Sequence, residues 1–416
     1  MLELKFDLVV VGGGPAGIAA ASKACELGMK VGLIENREVL GGIPLQCVHS
    51  GFGVHIFRED LTGPEFIYRL IDRLQRTDVK LLLRSYVHSI ELKAFDEKIV
   101  TVFSPNGVQR LYAKAIVHST GARERTIFEI GVTGERPDGV YTAGEAQTMM
   151  DLYGLMPGRK VVIIGSGDVG LIMARRFALE GAEVRAVIEV LPYPGGSMRN
   201  VVSCLQDFGI PLYLNHAVVS LYGRKRVEKV VVAKVDSEMK PIPGTEFEVE
   251  CDVVVVAAGL RPNMELLERM GAVLDPATGG PVVNEMLETT VPGVFAAGNA
   301  LVVNDLVDYA VEQGERAAEG VYEFISNCSK SAAWKKVIKG RNVRLIIPHY
   351  VSGERDVIFY ARVKNPERKV FFELLGSDLK LYQQGVRPSE MVRFKVSSSI
   401  ISSLGDKLLF QVRPLE

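Results

Sequence analysis

A strand–glycine–helix–strand pattern occurs twice in this chain and restricts its fold more than any other feature. The first copy begins with the apolar run FDLVVVGGGPAG at 6–17, and the second begins with KVVIIGSGDVG at 160–170. In each copy a helical stretch and a second strand follow, and that strand ends in an acid, Glu35 or Glu189. The acid lies 18 residues after the third glycine in the first copy and 19 residues after it in the second. A spacing of about 20 residues is the fingerprint of a dinucleotide-binding βαβ unit.

Each position of this pattern has a physical role. The first glycine permits the tight turn, the second lets the backbone approach a pyrophosphate, and the third lets the helix pack closely on the strand. The helix N-terminus holds the anion, and the carboxylate accepts hydrogen bonds from ribose hydroxyls. A glycine-rich turn without a ligand is the alternative for a single motif. Two complete copies in one chain favour two dinucleotide sites.

Composition and charge exclude several other classes of protein. Lys and Arg total 49 and Asp and Glu total 50, so the formal charge is −1 and no basic stripe indicates nucleic acid binding. No apolar run reaches the roughly 18 residues of a membrane helix. The first glycine motif starts too early for a secretory signal to precede it, so we expect a cytoplasmic protein. The five cysteines lack C-x-x-C spacing and the six histidines lack ligand spacing, so we expect neither a disulfide framework nor a metal site.

Further apolar runs that end in small residues are expected to close the two nucleotide sites. They read VHSTGAR at 117–123, VVVVAAGLRPN at 253–263 and GVFAAGN at 293–299. The last run leads into a long predicted helix at 305–325, with Asn304 or Asp305 as its N-cap. Alternating residues at 85–113 predict a small antiparallel meander.

The composition changes after residue 326. The stretch 327–342 carries five basic residues and no acid, which predicts a linker, and a docking site for an acidic partner is the alternative. Five short alternating runs follow, bounded by turn signals, and they predict a small β-sandwich. These runs read VRLIIPHYV, DVIFYARV, KVFFELL, MVRFKV and DKLLFQV.

The order of these motifs resembles that of the flavoproteins with two dinucleotide-binding domains, the pyridine nucleotide–disulfide oxidoreductase superfamily. The resemblance covers about residues 5–326. It implies an α/β fold with two Rossmann-like domains, the NAD domain being inserted in the FAD domain, followed by the small C-terminal β-sandwich-like domain. The expected boundaries are 1–125 and 285–326 for the FAD-binding domain, 150–284 for the NAD(H)-binding domain and 340–416 for the C-terminal domain.

The resemblance also implies which residues bind the cofactors, with FAD at the first fingerprint and NAD(H) at the second. For FAD these residues are Gly12, Gly14, Pro15, Ala16, Gly17, Glu35, Asn36, Arg37, Gly41, Gly42, Val87, Thr120, Gly121, Gly298, Asn299 and Leu306. For NAD(H) they are Gly165, Gly167, Asp168, Val169, Gly170, Glu189 and Gly259. In the superfamily Val87 would lie near the adenine, and the helix that starts near Leu306 would point its N-terminus at the flavin ring.

The sequence departs from the superfamily pattern at two places. Disulfide reductases carry a redox cysteine pair after a GG turn, but here segment 41–53 reads GGIPLQCVHSGFG and contains only Cys47. Asn299 stands where the family usually has an aspartate that binds the ribityl chain, although its amide oxygen is still an acceptor. Cys47 and His49 are the candidate catalytic residues, as a thiolate beside the flavin and as a proton relay. The alternative is that Cys47 is a small buried apolar residue and His49 a wall residue.

The GG-I-P-x-Q-C segment without a redox pair, together with the later AGN, is most similar to one branch of the superfamily. This branch contains the α-subunit-type NAD(P)/FAD oxidoreductases of dye-linked amino acid dehydrogenase, sarcosine oxidase and glycerol 3-phosphate systems. Its members work beside a second flavoprotein and a small iron–sulfur or cysteine-rich protein. We therefore expect hydride transfer between NADH and FAD, with electrons exchanged with a partner subunit or an external acceptor. Direct oxidation of an amino or imino acid, and a non-catalytic nucleotide-binding assembly subunit, are the alternatives.

The acid of the second fingerprint predicts the choice of nicotinamide nucleotide. The carboxylate of Glu189 suits the two ribose hydroxyls of NADH, whereas the 2′-phosphate of NADPH would bring negative charge against it. The segment 190–198 has no Arg or Lys to receive that phosphate, so we expect a preference for NADH.

Overall fold

The computed structural model describes residues 3–326 and 333–415, and these residues form two compact units. The first unit comprises the chain up to Ala122 and from Pro262 onward, and the second comprises Arg123–Arg261. The second unit is thus inserted in the first, as the resemblance implies. Its limits differ from the expected 150–284, because residues 123–149 pack within the second unit and residues 262–284 pack within the first.

The helices and strands follow the chain in three groups. Up to the insertion they are β1 (Glu3–Val11), α1 (Pro15–Glu26), β2 (Val31–Ile34), β3 (Ser50–Phe52), β4 (Leu61–Thr62), α2 (Gly63–Gln75), β5 (Lys80–Leu82), β6 (Tyr86–Ala94), β7 (Glu97–Ser104), β8 (Gly107–His118) and β9 (Ala122–Glu124). Next come β10 (Thr133–Gly134), β11 (Val140–Thr142), α3 (Ala143–Asp151), β12 (Lys160–Ile164), α4 (Asp168–Leu179), β13 (Glu183–Glu189), α5 (Met198–Asn200), β14 (Leu212–Leu214), β15 (His216–Tyr222), β16 (Lys229–Lys234), β17 (Phe247–Glu250), β18 (Val253–Val256) and β19 (Leu260–Pro262). The last group is α6 (Glu265–Arg269), β20 (Val294–Ala296), α7 (Val307–Ile325), β21 (Lys335–Lys339), β22 (Val343–Ile347), β23 (Tyr350–Val351), β24 (Val357–Val363), β25 (Glu367–Leu374), β26 (Lys380–Val386), β27 (Val392–Val396), α8 (Ser398–Ser403) and β28 (Lys407–Pro414).

The main sheet of the first unit has the order β5-β2-β1-β8-β7-β6, with β20 also paired to β8. The strands β5, β2, β1, β8 and β20 are parallel neighbours, whereas β6, β7 and β8 form the antiparallel meander that the sequence predicts. Because the carboxyl ends of parallel strands meet at one edge of a sheet, the glycine turn after β1 and the acid after β2 lie at the same edge.

Helices α1 and α7 pack against each other over this sheet. Small residues make the close approach possible, since a Cβ atom on Gly314 would lie 2.2 Å from the carbonyl oxygen of Ala16. Helix α2 starts with a capping box, in which Thr62 and Glu65 satisfy each other's backbone N–H groups. These helices cover the apolar face formed by Leu8, Val10 and their neighbours.

The second unit repeats the same architecture on a smaller scale. Its parallel sheet has the order β11-β18-β12-β13-β14, and a four-stranded sheet of order β10-β15-β16-β17 accompanies it. The central strands are buried on both faces, so they appear in the sequence as continuous apolar runs rather than alternating ones. Helix α4 follows β12 directly, which places the second glycine motif at the carboxyl edge of this sheet.

The C-terminal part of the first unit consists of two sheets of orders β23-β21-β28-β25-β26 and β22-β24-β27. Their shared core includes Phe359, Phe372, Phe394 and Phe410. The five predicted runs all form strands, which confirms the expected sheet domain, but the domain starts earlier than residue 340 and contains further strands.

The predicted linker at 327–342 is wrong where the structure describes it. Residues 327–332 lie outside the described residues, but Lys335–Lys339 forms β21 in the larger sheet. Basic side chains of this segment bind groups of the same chain. Fewer of them are then available to an acidic partner, the alternative that the sequence allows. Lys335 Nζ donates to the carbonyls of Ile401, Ser402 and Leu404 at the end of α8, and Lys339 and Arg341 pair with Asp275 and Glu367.

Ion pairs and hydrogen bonds hold the C-terminal sheets against the start of α7. The carboxylate of Glu312 accepts a hydrogen bond of 2.6 Å from Tyr360 and pairs with Arg393. Asp305 pairs with Arg362 and accepts a bond from the backbone of Met391. The expected cap at Asn304 or Asp305 is therefore wrong, because Asp305 is engaged by the C-terminal domain and α7 begins at Val307 after Leu306. No described helix has the length and apolarity needed to cross a membrane.

Candidate functional site

The first glycine motif forms a turn that needs glycine at two of its three glycine positions. Gly12 has a φ of 105°, and a Cβ atom there would lie 2.5 Å from the carbonyl oxygen of Ser119. A Cβ atom on Gly17 would lie 1.8 Å from the oxygen of Gly12, so the start of α1 rests on the turn itself. Gly14 is different, because a Cβ atom there would meet nothing within 4 Å. The space beside Gly14 is therefore open to a ligand.

Helix α1 begins with no side chain bonded to its first N–H groups. Its N-cap is Gly14, Pro15 occupies the first turn and no acid lies there. Ala16 and Gly17 follow and are buried. Free N–H groups at a helix start, with the positive end of the helix dipole, favour a bound anion such as a pyrophosphate.

The acid of the first fingerprint is buried beside this turn. Glu35 is only 8% exposed, and its carboxylate accepts hydrogen bonds of 2.7 Å from the N–H of Gly13 and 2.8 Å from that of Arg37. Both partners are backbone groups, so the carboxylate keeps lone pairs for ribose hydroxyls. Asn36 and Arg37 are exposed at the rim.

The Gly41–Gly42 turn lies on the same site. The N–H of Gly41 donates to the carbonyl of Gly13 over 2.8 Å, and a Cβ atom on Gly42 would lie 3.2 Å from the Cα atom of Gly14. Gly42 has a φ of 65°, which favours glycine. The structure thus brings this predicted pair next to the second glycine of the fingerprint.

The end of β8 contributes Thr120 and Gly121 to the same edge of the sheet. Asn263 Nδ2 donates to the carbonyl of Thr120, and the N–H of Asn263 donates to that of Gly121, both over 3.0 Å. Sequence reasoning missed His118, which is fully buried and lies 2.8 Å from the carbonyl of Asn263 through Nε2. Burial lowers the pKa of His118 to about 4, so its ring is neutral near pH 7.

A network of amides surrounds Asn299. Its Oδ1 accepts a hydrogen bond of 3.0 Å from the N–H of Asn304. The fully buried Gln313 accepts from the N–H of Gly298 over 3.0 Å, and its Nε2 donates to Asn304 Oδ1. The sequence identified Gly298 and Asn299 but not Gln313, which lies 14 residues after Asn299, inside α7.

The first turn of α7 has a buried acid that the sequence did not single out. Leu306 is the N-cap and supplies no side-chain hydrogen bond. Asp308 accepts bonds from the N–H groups of Gly53, His55 and Ile56, and so it fastens loop 53–56 to the start of the helix. Backbone donors thereby balance the negative charge of this carboxylate.

Cys47 and His49 lie between the Gly41–Gly42 turn and α2. Cys47 is 9% exposed and its Sγ lies 3.6 Å from the carbonyl of Ile43. The ring of His49 is half-buried, with Nδ1 2.8 Å from the carbonyl of Ser50. Their catalytic roles stay predictions. Val87 is buried in the core below the meander and is 6% exposed.

The second glycine motif reproduces the geometry of the first. A Cβ atom on Gly165 would lie 2.4 Å from the oxygen of Ala257, and one on Gly170 would lie 2.4 Å from that of Gly165. Gly167 caps α4 without a side-chain hydrogen bond and has open space beside it. Asp168 and Val169 form the first turn, and Val169 is 45% exposed.

Glu189 is the counterpart of Glu35. It is 6% exposed, and Oε2 accepts bonds of 2.9 Å and 2.6 Å from the N–H and Oγ of Ser166. Oε1 accepts from the N–H of Leu191 over 2.9 Å. Gly259, beyond the end of β18, has open space and a φ of 97°. Each unit therefore has a buried carboxylate beside an uncapped helix start, which is what an adenosine ribose and a pyrophosphate require.

The described residues give less support to a metal site or to chemistry at the other cysteine thiols. Among them, no group of three His, Cys, Asp or Glu side chains is arranged to hold a metal ion. Burial raises the pKa of the Cys251 thiol to about 12 and also raises those of Cys25 and Cys204, so these thiols are protonated near neutral pH.

The sequence profile of the family described as "Pyridine nucleotide-disulphide oxidoreductase" matches residues 6–314. The chain belongs to this family. A mitochondrial dihydrolipoyl dehydrogenase of Caenorhabditis elegans is 30% identical over 346 residues, which cover 76% of this chain and 67% of the relative. The thioredoxin reductase of T. acidophilum superposes with a TM-score of 0.65 at 26% identity, over 78% of this chain and 99% of that one. The L-proline dehydrogenase from P. horikoshii shares the fold, with a TM-score of 0.57 at 22% identity, over 78% of this chain and 56% of that one.

As a member of the pyridine nucleotide-disulphide oxidoreductase family, the chain is an oxidoreductase that uses FAD and a nicotinamide nucleotide. The expected enzyme class, fold class and cofactors are thereby confirmed. The open space at Gly14 and Gly167 and the buried acids Glu35 and Glu189 fit these two dinucleotides.

Proposed function

We propose that this chain is an FAD-dependent NADH oxidoreductase that exchanges electrons with a partner subunit or an external acceptor rather than with a dithiol of its own. The observation that carries the proposal is the combination of two dinucleotide half-sites with a single cysteine in segment 41–53. A redox disulfide needs two thiols, and a bridged pair needs Cα atoms within about 7 Å. Cys47 has no second cysteine in its segment.

The residues of the chain bind and orient the cofactors in this proposal. Glu35 and the start of α1 hold the adenosine end of FAD, and Glu189 and the start of α4 hold that of NADH. Bound FAD supplies the acceptor for the hydride of the nicotinamide, so the protein itself supplies little acid–base chemistry. In this proposal the start of α7 lies at the flavin ring, as the family resemblance implies, and its uncapped N–H groups stabilise negative charge there.

Because segment 41–53 has no cysteine pair, we assign the chain in this proposal to the branch of α-subunit-type NAD(P)/FAD oxidoreductases. In this proposal the chain works beside a flavoprotein dehydrogenase and a small iron–sulfur or cysteine-rich protein. The combination of GGIPLQC with AGN at 297–299 supports that assignment. Such a partner would replace the disulfide as the second redox centre.

A comparison of electron acceptors tests the proposal. The purified, FAD-loaded protein is supplied with NADH and either a one-electron dye or a small disulfide such as 5,5′-dithiobis(2-nitrobenzoate). We expect steady NADH oxidation with the dye and less than about a tenth of that rate with the disulfide, a difference of more than about 1.4 kcal/mol in barrier. Equal rates with both acceptors would contradict the proposal.

A further inference from the structure

Three acids lie around the start of α7, and one of them has no cationic partner among the described residues. Asp305 pairs with Arg362, and Glu312 pairs with Arg393. Asp308, which lies between these two acids in the chain, is bonded to backbone N–H groups instead. The first turn of the helix therefore keeps a negative charge that no described Arg or Lys neutralises.

This carboxylate is buried and held in one place. Asp308 is 3% exposed, and its Oδ1 accepts hydrogen bonds of 3.1 Å and 3.0 Å from the N–H groups of His55 and Ile56. Its Oδ2 accepts a bond of 3.3 Å from the N–H of Gly53. Hydrogen bonds to a charged acceptor are stronger than those to a neutral one, and salt screens a buried charge much less than an exposed one. The charge of Asp308 therefore acts on its surroundings with little screening.

The position of this charge matters because the proposed function places the start of α7 at the flavin ring. Hydride transfer from NADH to FAD yields NAD⁺ and a reduced flavin that carries one negative charge. The positive end of the helix dipole stabilises that charge. A carboxylate in the same helical turn acts in the opposite direction, because like charges repel.

We propose that Asp308 lowers the reduction potential of bound FAD and so makes the reduced flavin a stronger electron donor. Asp308 is a positioning residue here, since the bonds to loop 53–56 hold its charge at the start of the helix. The inference rests on the proposed function, in which reduced FAD passes its electrons to a partner subunit or an external acceptor. A flavin of lower potential can reduce a wider range of such acceptors.

The reduction potential of the bound FAD tests the inference. The FAD-loaded protein is reduced slowly with xanthine and xanthine oxidase in equilibrium with a reference dye, so the measurement does not depend on NADH. Asp308→Asn keeps an acceptor oxygen for the loop but removes the charge. We expect the ratio of reduced to oxidised flavin at a given potential to rise about tenfold, which corresponds to about 30 mV for a two-electron couple. Asp308→Glu keeps the charge and should stay within about threefold of the unmodified protein.

Asp60 provides a matched control in the β3–β4 hairpin. Its Oδ1 accepts a hydrogen bond of 2.7 Å from the N–H of Gly51, but the residue is exposed and lies outside α7. Asp60→Asn removes the same charge and should leave the potential of the flavin unchanged. An equal shift in Asp60→Asn, or no rise in Asp308→Asn, would overturn the inference.

A second neutral variant separates the effect of the charge from that of the loop. Asp308→Ser should raise the reduced-to-oxidised ratio about as much as Asp308→Asn, and hydrogen exchange at residues 53–56 reports how far each variant loosens the loop. A looser loop without a change of potential, or loss of FAD from both neutral variants, would assign Asp308 to the fold alone and overturn the inference. An unmodified, FAD-loaded protein that NADH does not reduce would instead contradict the proposed function.

Discussion

Gly14 and Gly167 are the residues whose substitution should affect cofactor binding most directly. Both have ordinary extended backbone angles, with φ of −77° and −63°, and a Cβ atom on either would meet no protein atom within 4 Å. Their lack of a side chain is therefore not required by the fold of the protein alone. The family's dinucleotides supply the reason, because the backbone must approach a pyrophosphate.

Gly14→Val and Gly167→Val form a reciprocal pair of variants. We expect Gly14→Val to fold but to retain less than about a tenth of the FAD. The side chain would block the approach of the pyrophosphate and so weaken the binding free energy of FAD by at least about 1.4 kcal/mol. Gly167→Val should keep FAD and lose NADH binding. Flavin absorbance after gel filtration and NADH calorimetry measure the two effects. Full flavin occupancy in Gly14→Val would contradict our placement of FAD.

His118 makes the stability of the fold depend on pH. Its pKa is about 4 in the folded protein, against an ordinary value of 6.5, because burial disfavours the charged ring. The folded protein therefore favours the neutral ring. This preference contributes to the free energy of unfolding, and the contribution is fully present above pH 6.5 and is lost as the pH falls from 6.5 to 4. We expect the protein to lose about 3 kcal/mol more than His118→Asn between pH 7 and pH 4. Urea unfolding of both proteins at several pH values measures the difference, and parallel pH profiles would contradict it.

The elements that carry the two sites were predictable because their sequence patterns are local. Both fingerprints, the meander and the strands of the C-terminal domain follow from runs of apolar residues and glycines. Strand β21 was missed because Lys335, Lys336 and Lys339 suggest a solvated linker, although Val337 is buried. The role of Lys335 as a partner of the last carbonyls of α8 depends on residues more than 60 positions away, which no local pattern reports.

The same distinction applies to the candidate site. Gly298 and Asn299 were found from the AGN run, whereas Gln313 and Asp308 were not, because their partners come from separate segments of the chain. His118 was not identified because no local pattern indicates that its ring is fully buried. The N-cap of α7 was predicted at Asn304 or Asp305 from the preference of these residue types for helix starts. Asp305 instead forms an ion pair with Arg362.

The contact between α1 and α7 depends on Gly314. A Cβ atom there would lie 2.2 Å from the carbonyl oxygen of Ala16, so the helices must separate to accept a side chain. We expect Gly314→Ala to lower the free energy of unfolding by about 2 kcal/mol, although alanine favours helix in isolation. Thermal and urea unfolding measure the change. Glu319→Ala on the same helix, at an exposed ion pair with Lys23, is the control and should change stability by less than about 0.5 kcal/mol.

The end of strand β13 is expected to select the nicotinamide nucleotide. Glu189 is buried there, and no Arg or Lys occurs in segment 190–198. We expect NADH to bind at least about tenfold more tightly than NADPH, because the 2′-phosphate would meet a like charge. Glu189→Ala should reduce this preference. Calorimetric titration with both nucleotides measures it, and equal affinity in the unmodified protein would exclude the role of Glu189.

Each compact unit of the protein has its own dinucleotide half-site, and the C-terminal sheets belong to the first unit. Those sheets are fixed to the start of α7 through Glu312 and Asp305. In our proposal the C-terminal sheets therefore lie near the start of α7, the helix whose N-terminus is expected to point at the flavin ring.

We infer that NADH reduces the bound flavin without a redox disulfide. The most direct measurement is an anaerobic titration of the FAD-loaded protein and of Cys47→Ser with NADH, followed by flavin absorbance. We predict that both proteins bleach with about one equivalent of NADH and at rates within roughly threefold of each other, less than 1 kcal/mol in barrier. Complete loss of bleaching in a folded, flavin-loaded Cys47→Ser protein, or bleaching of the unmodified protein only by an amino or imino acid, would contradict the account.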